Sequence, residues 1–170
     1  AISQVLKPTA KGMVAEKRPF QGILYAGLIQ TATGPKVIEF NARFGDPETQ
    51  VVLARLESPL SEIISSLLAK EQPTIVWNEL ASVGVVVAAE GYPNQYKTNL
   101  PLPEMSGETI YYAGVTRSEQ ALVSAGGRIF LAEATASTLE EARKKVYQTL
   151  DNYSFPGMYY RKDIGVKGLI

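Results

Sequence analysis

Residues 81–90, ASVGVVVAAE, run almost without charge and are built from small and β-branched side chains. A stretch of this kind is a buried strand, because its composition suits a pleated surface covered by neighbours. The chain must therefore supply strands beside it and a cover above it. Three strand candidates follow: TIYYAGV at 109–115, ALVSA at 121–125 and RIFLAEATA at 128–136. The pair Gly126-Gly127 predicts a tight hairpin turn between the last two. Thr138 and Glu141 have capping-box spacing ahead of a helix running to about Tyr153, with Leu139, Ala142, Val146 and Leu150 facing inward. Between the first strand and the others, GYPNQYKTNLPLPEMSGE at 91–108 carries three prolines and two glycines, which predicts a long irregular loop. Strands closed by a helix predict a small α+β domain.

The first seventy residues have a different texture. ISQVLKPTAKGMVAEK reads as helix interrupted at Pro8. FQGILYAGLIQ, the turn TATGP and KVIEFN predict an antiparallel hairpin with strands near 22–30 and 35–41. Asp46-Pro47-Glu48 predicts a helix start, with Asp at the N-cap and Pro at the first helical position. Ser58-Pro59 opens a second helix whose Leu60, Ile63, Ile64, Leu67 and Leu68 form one apolar stripe. EQPTIVWNEL, from 71, is a connecting segment, and two domains are expected, 1–72 and 73–170. There is no repeat and no low-complexity tract.

Composition removes whole classes of chemistry. The chain has no cysteine and no histidine, which excludes zinc sites of the usual ligands, thiol nucleophiles, disulfides and any Ser-His-Asp triad. Catalysis would have to run on carboxylates, amides, lysine, arginine, hydroxyls or a bound ion. Lys plus Arg and Asp plus Glu both number 17, so the net charge is zero and nothing argues for a nucleic-acid surface. No run approaches the roughly 20 apolar residues of a membrane span, and no charged-then-apolar leader opens the chain. A soluble, cytoplasmic protein is expected. Its first residue, Ala1, opens a helix-like pattern, which reads as a piece cut from something longer.

The chemistry concentrates in EFNARFGDPETQ, residues 39–50. Residues two apart on a strand share a face about 6.6 Å apart, so Glu39 and Asn41 project together while Phe40 points away. A carboxylate and an amide oxygen are hard donors, and a magnesium ion carrying nucleotide phosphates takes only one or two protein ligands. Arg43, two further on, is placed to aim a guanidinium at a phosphate or carboxylate. GDPE then sets a helix N-terminus, with its free N–H groups, beyond the proposed metal. Taken alone, E-x-N at a strand end also reads as a solvated sheet edge. Asp46 is equally explained by N-capping, and Glu48 by the helix dipole.

These residues carry a resemblance. RFGDPETQ at 43–50 is similar to the signature octapeptide of phosphoribosylamine-glycine ligase, also called glycinamide ribonucleotide synthetase, an ATP-grasp family. LYAGLIQTATGPKVIEFNARFGDPETQVVLARL resembles that family throughout. So do ASVGVVVAAEGYPNQY, the AGV at 113–115, SAGGRIFLAEATASTLEEARKKVY and the closing YRKDIG, in the same order.

The resemblance implies the second half of an ATP-grasp core, antiparallel strands with helices, followed by a C-terminal α+β domain that helps close the substrate site. It implies ligation of glycine to 5-phosphoribosylamine with ATP, through an acyl phosphate, giving glycinamide ribonucleotide, ADP and phosphate in purine biosynthesis. It implies Mg (or Mn) held by Glu39 and Asn41. Arg43 becomes a catalytic, substrate-holding residue, with Asp46 and Glu48 also at the substrate. Many ATP-grasp enzymes carry a further acidic metal ligand twelve or thirteen residues before the glutamate, but those positions here are Gly27 and Ala26. The missing partner is the N-terminal part of the same chain, with a Rossmann-like domain and the glycine-rich lid over ATP, and without it turnover is not expected.

Tyr92, Arg161, Lys162 and Asp163 read as ordinary surface or interdomain pairing. Two rival readings stand beside the ligase: a biotin-carboxylase-like enzyme phosphorylating bicarbonate, since E-x-N-x-R is shared, and a non-enzymatic interaction module.

Overall fold

A computed structural model describes residues 1–106, 109–119 and 121–169. Gly107 and Glu108, at the end of the loop expected over 91–108, lie outside the described residues. The chain forms two compact units, one of residues 1–49 and 58–75, the other of residues 50–57 and 76–170. Helices and antiparallel sheets make it an α+β protein, as the sequence predicts.

In the first unit, a turn of wider helix over Ile2–Leu6 leads directly into α1, Lys7–Ala15. Pro8 does not interrupt it. A proline in the first turn lacks an N–H that has no helical acceptor there anyway. The expected hairpin is present as β1 (Tyr25–Thr31) and β2 (Gly34–Asn41), antiparallel, with a register shift between Gly27 and Leu28. After β2, a turn at 46–47 precedes α2, which runs over Glu48–Leu53. The helix thus begins at Glu48 rather than at Pro47, and its first turn is fastened to the Gly45 carbonyl. That carbonyl takes the Thr49 N–H at 3.2 Å and the Thr49 hydroxyl as well. Helix α3 spans Leu60–Leu68. Of its apolar stripe only Ile63 is buried, while Ile64 and Leu68 are 47% and 75% exposed.

The second unit holds the main core. Its sheet has the order β4-β7-β3-β8, antiparallel throughout, with β3 at Ala81–Ala89, β4 at Thr109–Tyr112, β7 at Arg128–Ala136 and β8 at Met158–Tyr160. A separate ribbon pairs β5 (Val115–Ser118) with β6 (Ala121–Ser124). Helix α4, Leu139–Asp151, carries the predicted cap, the Thr138 hydroxyl accepting the Glu141 N–H at 3.2 Å. Ala142, Val146 and Leu150 are fully buried, in one cluster with Val83, Val85, Val87, Ile129 and Phe130. Burying a side chain of this size contributes about 1.5–3 kcal/mol, so this cluster outweighs anything in the first unit.

β3 is central, as its composition demands, but one face is closed differently from the other. A Cβ on Gly84 would stand 2.7 Å from Val51 Cγ1, so residues of α2 cover that face and only glycine allows the approach.

The pair Gly126-Gly127 is not a hairpin turn. β6 pairs with β5 and β7 with β4, so the turn of this long hairpin lies at Glu119, whose φ is +52°. The glycines mark where the hairpin passes from one sheet to the other. Ala125 N–H donates to the Gly114 carbonyl at 2.7 Å and Gly114 N–H to the Arg128 carbonyl at 3.0 Å. A Cβ on Gly114 would meet Gly126 Cα at 2.8 Å, so two backbones cross where no side chain fits.

Candidate functional site

The register of the β1–β2 hairpin sets the site. Glu39 pairs with Gly27, and Asn41 with Tyr25. Directly opposed residues of an antiparallel pair share a face, so Tyr25, Gly27, Glu39 and Asn41 stand on one side of the ribbon. Glu39 and Asn41 touch: Asn41 Nδ2 donates to Glu39 Oε1 at 2.9 Å. This bond turns the amide nitrogen toward the carboxylate. Glu39 is exposed and Asn41 partly buried.

Gly27 makes room for the carboxylate. A Cβ there would lie 3.2 Å from Glu39 Cγ, tighter than ordinary contact. The position that holds an acid in many ATP-grasp enzymes is therefore directly opposite Glu39 and on its face, and here the Glu39 chain leans into the space left by glycine. Among the described residues, no group of three or more His, Cys, Asp or Glu side chains is arranged to hold a metal. An exposed carboxylate and an amide that shares its face, over a glycine cradle, are the hard donor types that suit a divalent ion whose remaining ligands are waters and phosphates.

The helix side closes on the same place. Glu48, in the first turn of α2, folds back over Gly45, where a Cβ would be 2.5 Å from Glu48 Oε2 and 3.1 Å from Tyr25 Cε2. Gly45 is buried. The Tyr25 hydroxyl donates to Glu48 Oε1 at 3.3 Å. Partial burial, then the Glu48 charge and its hydrogen bond, then the Glu39 charge hold the Tyr25 phenol above its ordinary pKa, against the opposing pull of Arg43. One phenol thus senses Glu39, Arg43 and Glu48 together. Arg43 Nη1 donates to the Phe44 carbonyl at 2.7 Å, which leaves the rest of its donor fork for other partners. Asp46 stands exposed in the turn, one residue beyond Gly45.

Tyr25 was invisible in the sequence. A tyrosine inside YAGLIQ reads as ordinary strand composition, and only the register with Asn41 and the return of Glu48 give it a place here.

In the second unit, Arg161 and Asp163 form an exposed two-point pair at 2.9 and 2.6 Å, and Lys162 reaches Asp151 at 2.7 Å. These are the surface pairings the sequence suggests. Tyr92 lends its carbonyl to the Tyr159 hydroxyl at 3.1 Å, and its ring fills the space above Gly127.

Two family models match. Residues 82–167 match the model described as phosphoribosylglycinamide synthetase, C domain, and residues 1–49 match the same synthetase's ATP-grasp (A) domain. A phosphoribosylamine–glycine ligase of Halalkalibacterium halodurans is 50% identical across 99% of this chain, which spans 40% of that relative. The ligase of Lactococcus lactis is also 50% identical across 99% of the chain, and the chain spans 42% of it. The crystal structure of the phosphoribosylamine–glycine ligase of Thermotoga maritima superimposes with a TM-score of 0.86 at 30% identity, over 95% of this chain and 41% of that one. The chain therefore spans about two fifths of the length of the relatives it matches. On the match of its residues 82–167 and 1–49, this chain belongs to the phosphoribosylglycinamide synthetase family.

Proposed function

We propose that this chain supplies the carboxy-terminal portion of an ATP-dependent ligase that joins the glycine carboxylate to the amine of 5-phosphoribosylamine. The products are glycinamide ribonucleotide, ADP and phosphate, and the reaction belongs to purine biosynthesis in the cytoplasm. The observation that carries this reading is the hydrogen-bonded, same-face pair of Glu39 and Asn41 over Gly27.

In this reading Glu39 and Asn41 are the residues that would hold a magnesium or manganese ion. When bound, the ion supplies Lewis-acid charge neutralisation for phosphoryl transfer to glycine. Arg43 presents its free donors to the carboxylate being activated and to the acyl phosphate that replaces it, a planar two-point match. Glu48 and Asp46 put negative charge where an amine has to be kept. Most of the rate enhancement comes from groups fixed in place before the reaction rather than from covalent participation by the protein.

The remaining three fifths of the ligase provide the lid over ATP and cover the β1–β2 ribbon, whose Ile29, Val37, Ile38 and Phe40 are 52%, 42%, 67% and 43% exposed. An isolated two-stranded ribbon is marginal, and these side chains are the seat for that cover. The 170 residues alone turn nothing over. The test is substrate dependence in the full-length protein. Phosphate release from ATP that requires both glycine and phosphoribosylamine supports the ligase, whereas release with bicarbonate and biotin but not with glycine would replace it with a carboxylase.

A further inference from the structure

Glu48 is the least constrained of the acidic groups near the ribbon by sequence alone, since a glutamate in the first turn of a helix ordinarily points into solvent along the dipole. Here it does not. Its carboxylate lies back across Gly45, and what it meets there is a phenol projecting from the opposite strand of the hairpin. Three features make this a built arrangement. Tyr25 is fixed opposite Asn41 by the β1–β2 register, so its hydroxyl extends from the face that carries the Glu39–Asn41 pair. Gly45 is buried and has no room for a side chain, because a Cβ would collide with both Glu48 Oε2 and the Tyr25 ring. Thr49, next to Glu48, is bonded through both its N–H and its hydroxyl to the Gly45 carbonyl, which locks the first turn of α2 over that glycine.

The phenol bonds Oε1, and Oε2 lies against Gly45, so the hydrogen bond sets where the carboxylate sits. The Glu48 carboxylate bonds the Tyr25 phenol and the Arg43 charge acts on the same phenol, so one stretch of chain offers opposite charges to a small ligand. That is the complement of a zwitterion, with carboxylate toward Arg43 and ammonium toward Glu48.

We infer that Tyr25 is a positioning residue, whose hydroxyl holds the Glu48 carboxylate over Gly45 so that Glu48 accepts the ammonium group of the amino-acid substrate. This rests on the ligase reading given above. Tyr25 itself touches no reacting atom. Its whole effect passes through Glu48.

The test has two arms. In the full-length ligase, Tyr25→Phe raises KM for glycine about 3- to 10-fold, as expected for loss of one hydrogen bond to a charged group, with kcat and KM for ATP unchanged. Glu48→Gln raises KM for glycine further, and Tyr25→Phe adds nothing in the Glu48→Gln background. Glycine KM unchanged by Tyr25→Phe, or multiplied by it in both backgrounds, overturns the inference. The second arm measures binding without turnover: in the full-length protein, calorimetry gives glycine a Kd about 3- to 10-fold weaker in Tyr25→Phe, and no further loss when Tyr25→Phe is added to Glu48→Gln. An unchanged glycine Kd in Tyr25→Phe overturns the inference equally. If the unsubstituted full-length protein shows no glycine-dependent turnover, the ligase reading fails by itself, and the calorimetry still decides whether Tyr25 acts through Glu48 on a bound amino acid.

Discussion

Asn41 donates through Nδ2 to Glu39 Oε1 at 2.9 Å, two residues back along the same strand. The bond joins the amide to the carboxylate through its nitrogen, on a face with no other acid from the ribbon. Under the proposed ligase function, Glu39→Gln in the full-length protein is expected to lower kcat/KM for ATP by roughly 100-fold, the scale of losing one preorganised electrostatic contact. Glu140→Gln, on the exposed start of α4, is expected to change it less than about 2-fold, since nothing places Glu140 near the reaction. Steady-state kinetics of the two variants side by side checks this.

Gly27 should matter to the site far more than to the fold. A methyl group there meets Glu39 Cγ at 3.2 Å while the nearest backbone atoms stay at 3.7 and 3.9 Å, so the side chain turns and the backbone need not move. Gly27→Ala is expected to leave stability within about 1 kcal/mol while displacing the carboxylate. The expected readout is a Mn²⁺ affinity several-fold weaker, measured by electron paramagnetic resonance of the free ion, alongside an unchanged urea midpoint.

Much of this fold was legible in the sequence, for identifiable reasons. The β1–β2 hairpin was signalled by TATGP between two extended runs, and α4 by Thr138 and Glu141 with an apolar stripe behind them. The hidden parts depend on residues far apart in the chain. TIYYAGV reads as one strand, yet it breaks at Gly114 because that backbone crosses Gly126. The glycine pair that looks like a turn is the other half of the same crossing, and β8 is too short, at three residues, to show a pattern. In the site, Glu39 and Asn41 were legible because strand alternation is local. Tyr25 was not, because its role comes from a pairing register and from a carboxylate on another element.

Tyr147 anchors the YRKDIG segment from α4. Its hydroxyl donates to the Arg161 carbonyl at 2.6 Å and accepts from Ile164 N–H at 3.1 Å, and the residue is buried. Tyr147→Phe keeps the ring but strands both backbone groups. Arg161 is exposed and Ile164 half-buried, so water replaces part of what is lost and the expected loss is about 1 kcal/mol, measured by urea unfolding.

Gly127→Ala should cost more than its size suggests. The new Cβ would lie 2.1 Å from Tyr92 Cδ2, so the ring or the loop that carries it must move. Overpacking of this kind destabilises by about 1–3 kcal/mol, and the same unfolding measurement checks it.

Asp151 and Lys162 give a pH dependence whose sign is fixed. Hydrogen bonds from Lys162 and then Tyr160 hold the Asp151 carboxyl below its ordinary pKa, and the bond to Asp151 holds Lys162 above its own. The Asp151 contribution is therefore complete at neutral pH and is lost as pH falls through its lowered value. The Lys162 contribution is complete below the ordinary lysine range and is lost as pH rises through its raised value. Both groups are exposed, so the effect is small and salt-screened. Asp151→Asn is expected to lower the plateau near pH 7 slightly and to flatten the acid limb of the stability-versus-pH curve, the two curves meeting at low pH.

Paramagnetic broadening tests the central assignment most directly. Mn²⁺ with ATP, titrated into the isotope-labelled chain, is expected to erase first the amide signals of Gly27, Glu39 and Asn41. In Glu39→Gln the broadening should vanish at the same Mn²⁺ concentration. Broadening centred on any other part of the chain, or broadening at the ribbon that persists in Glu39→Gln, would contradict the account.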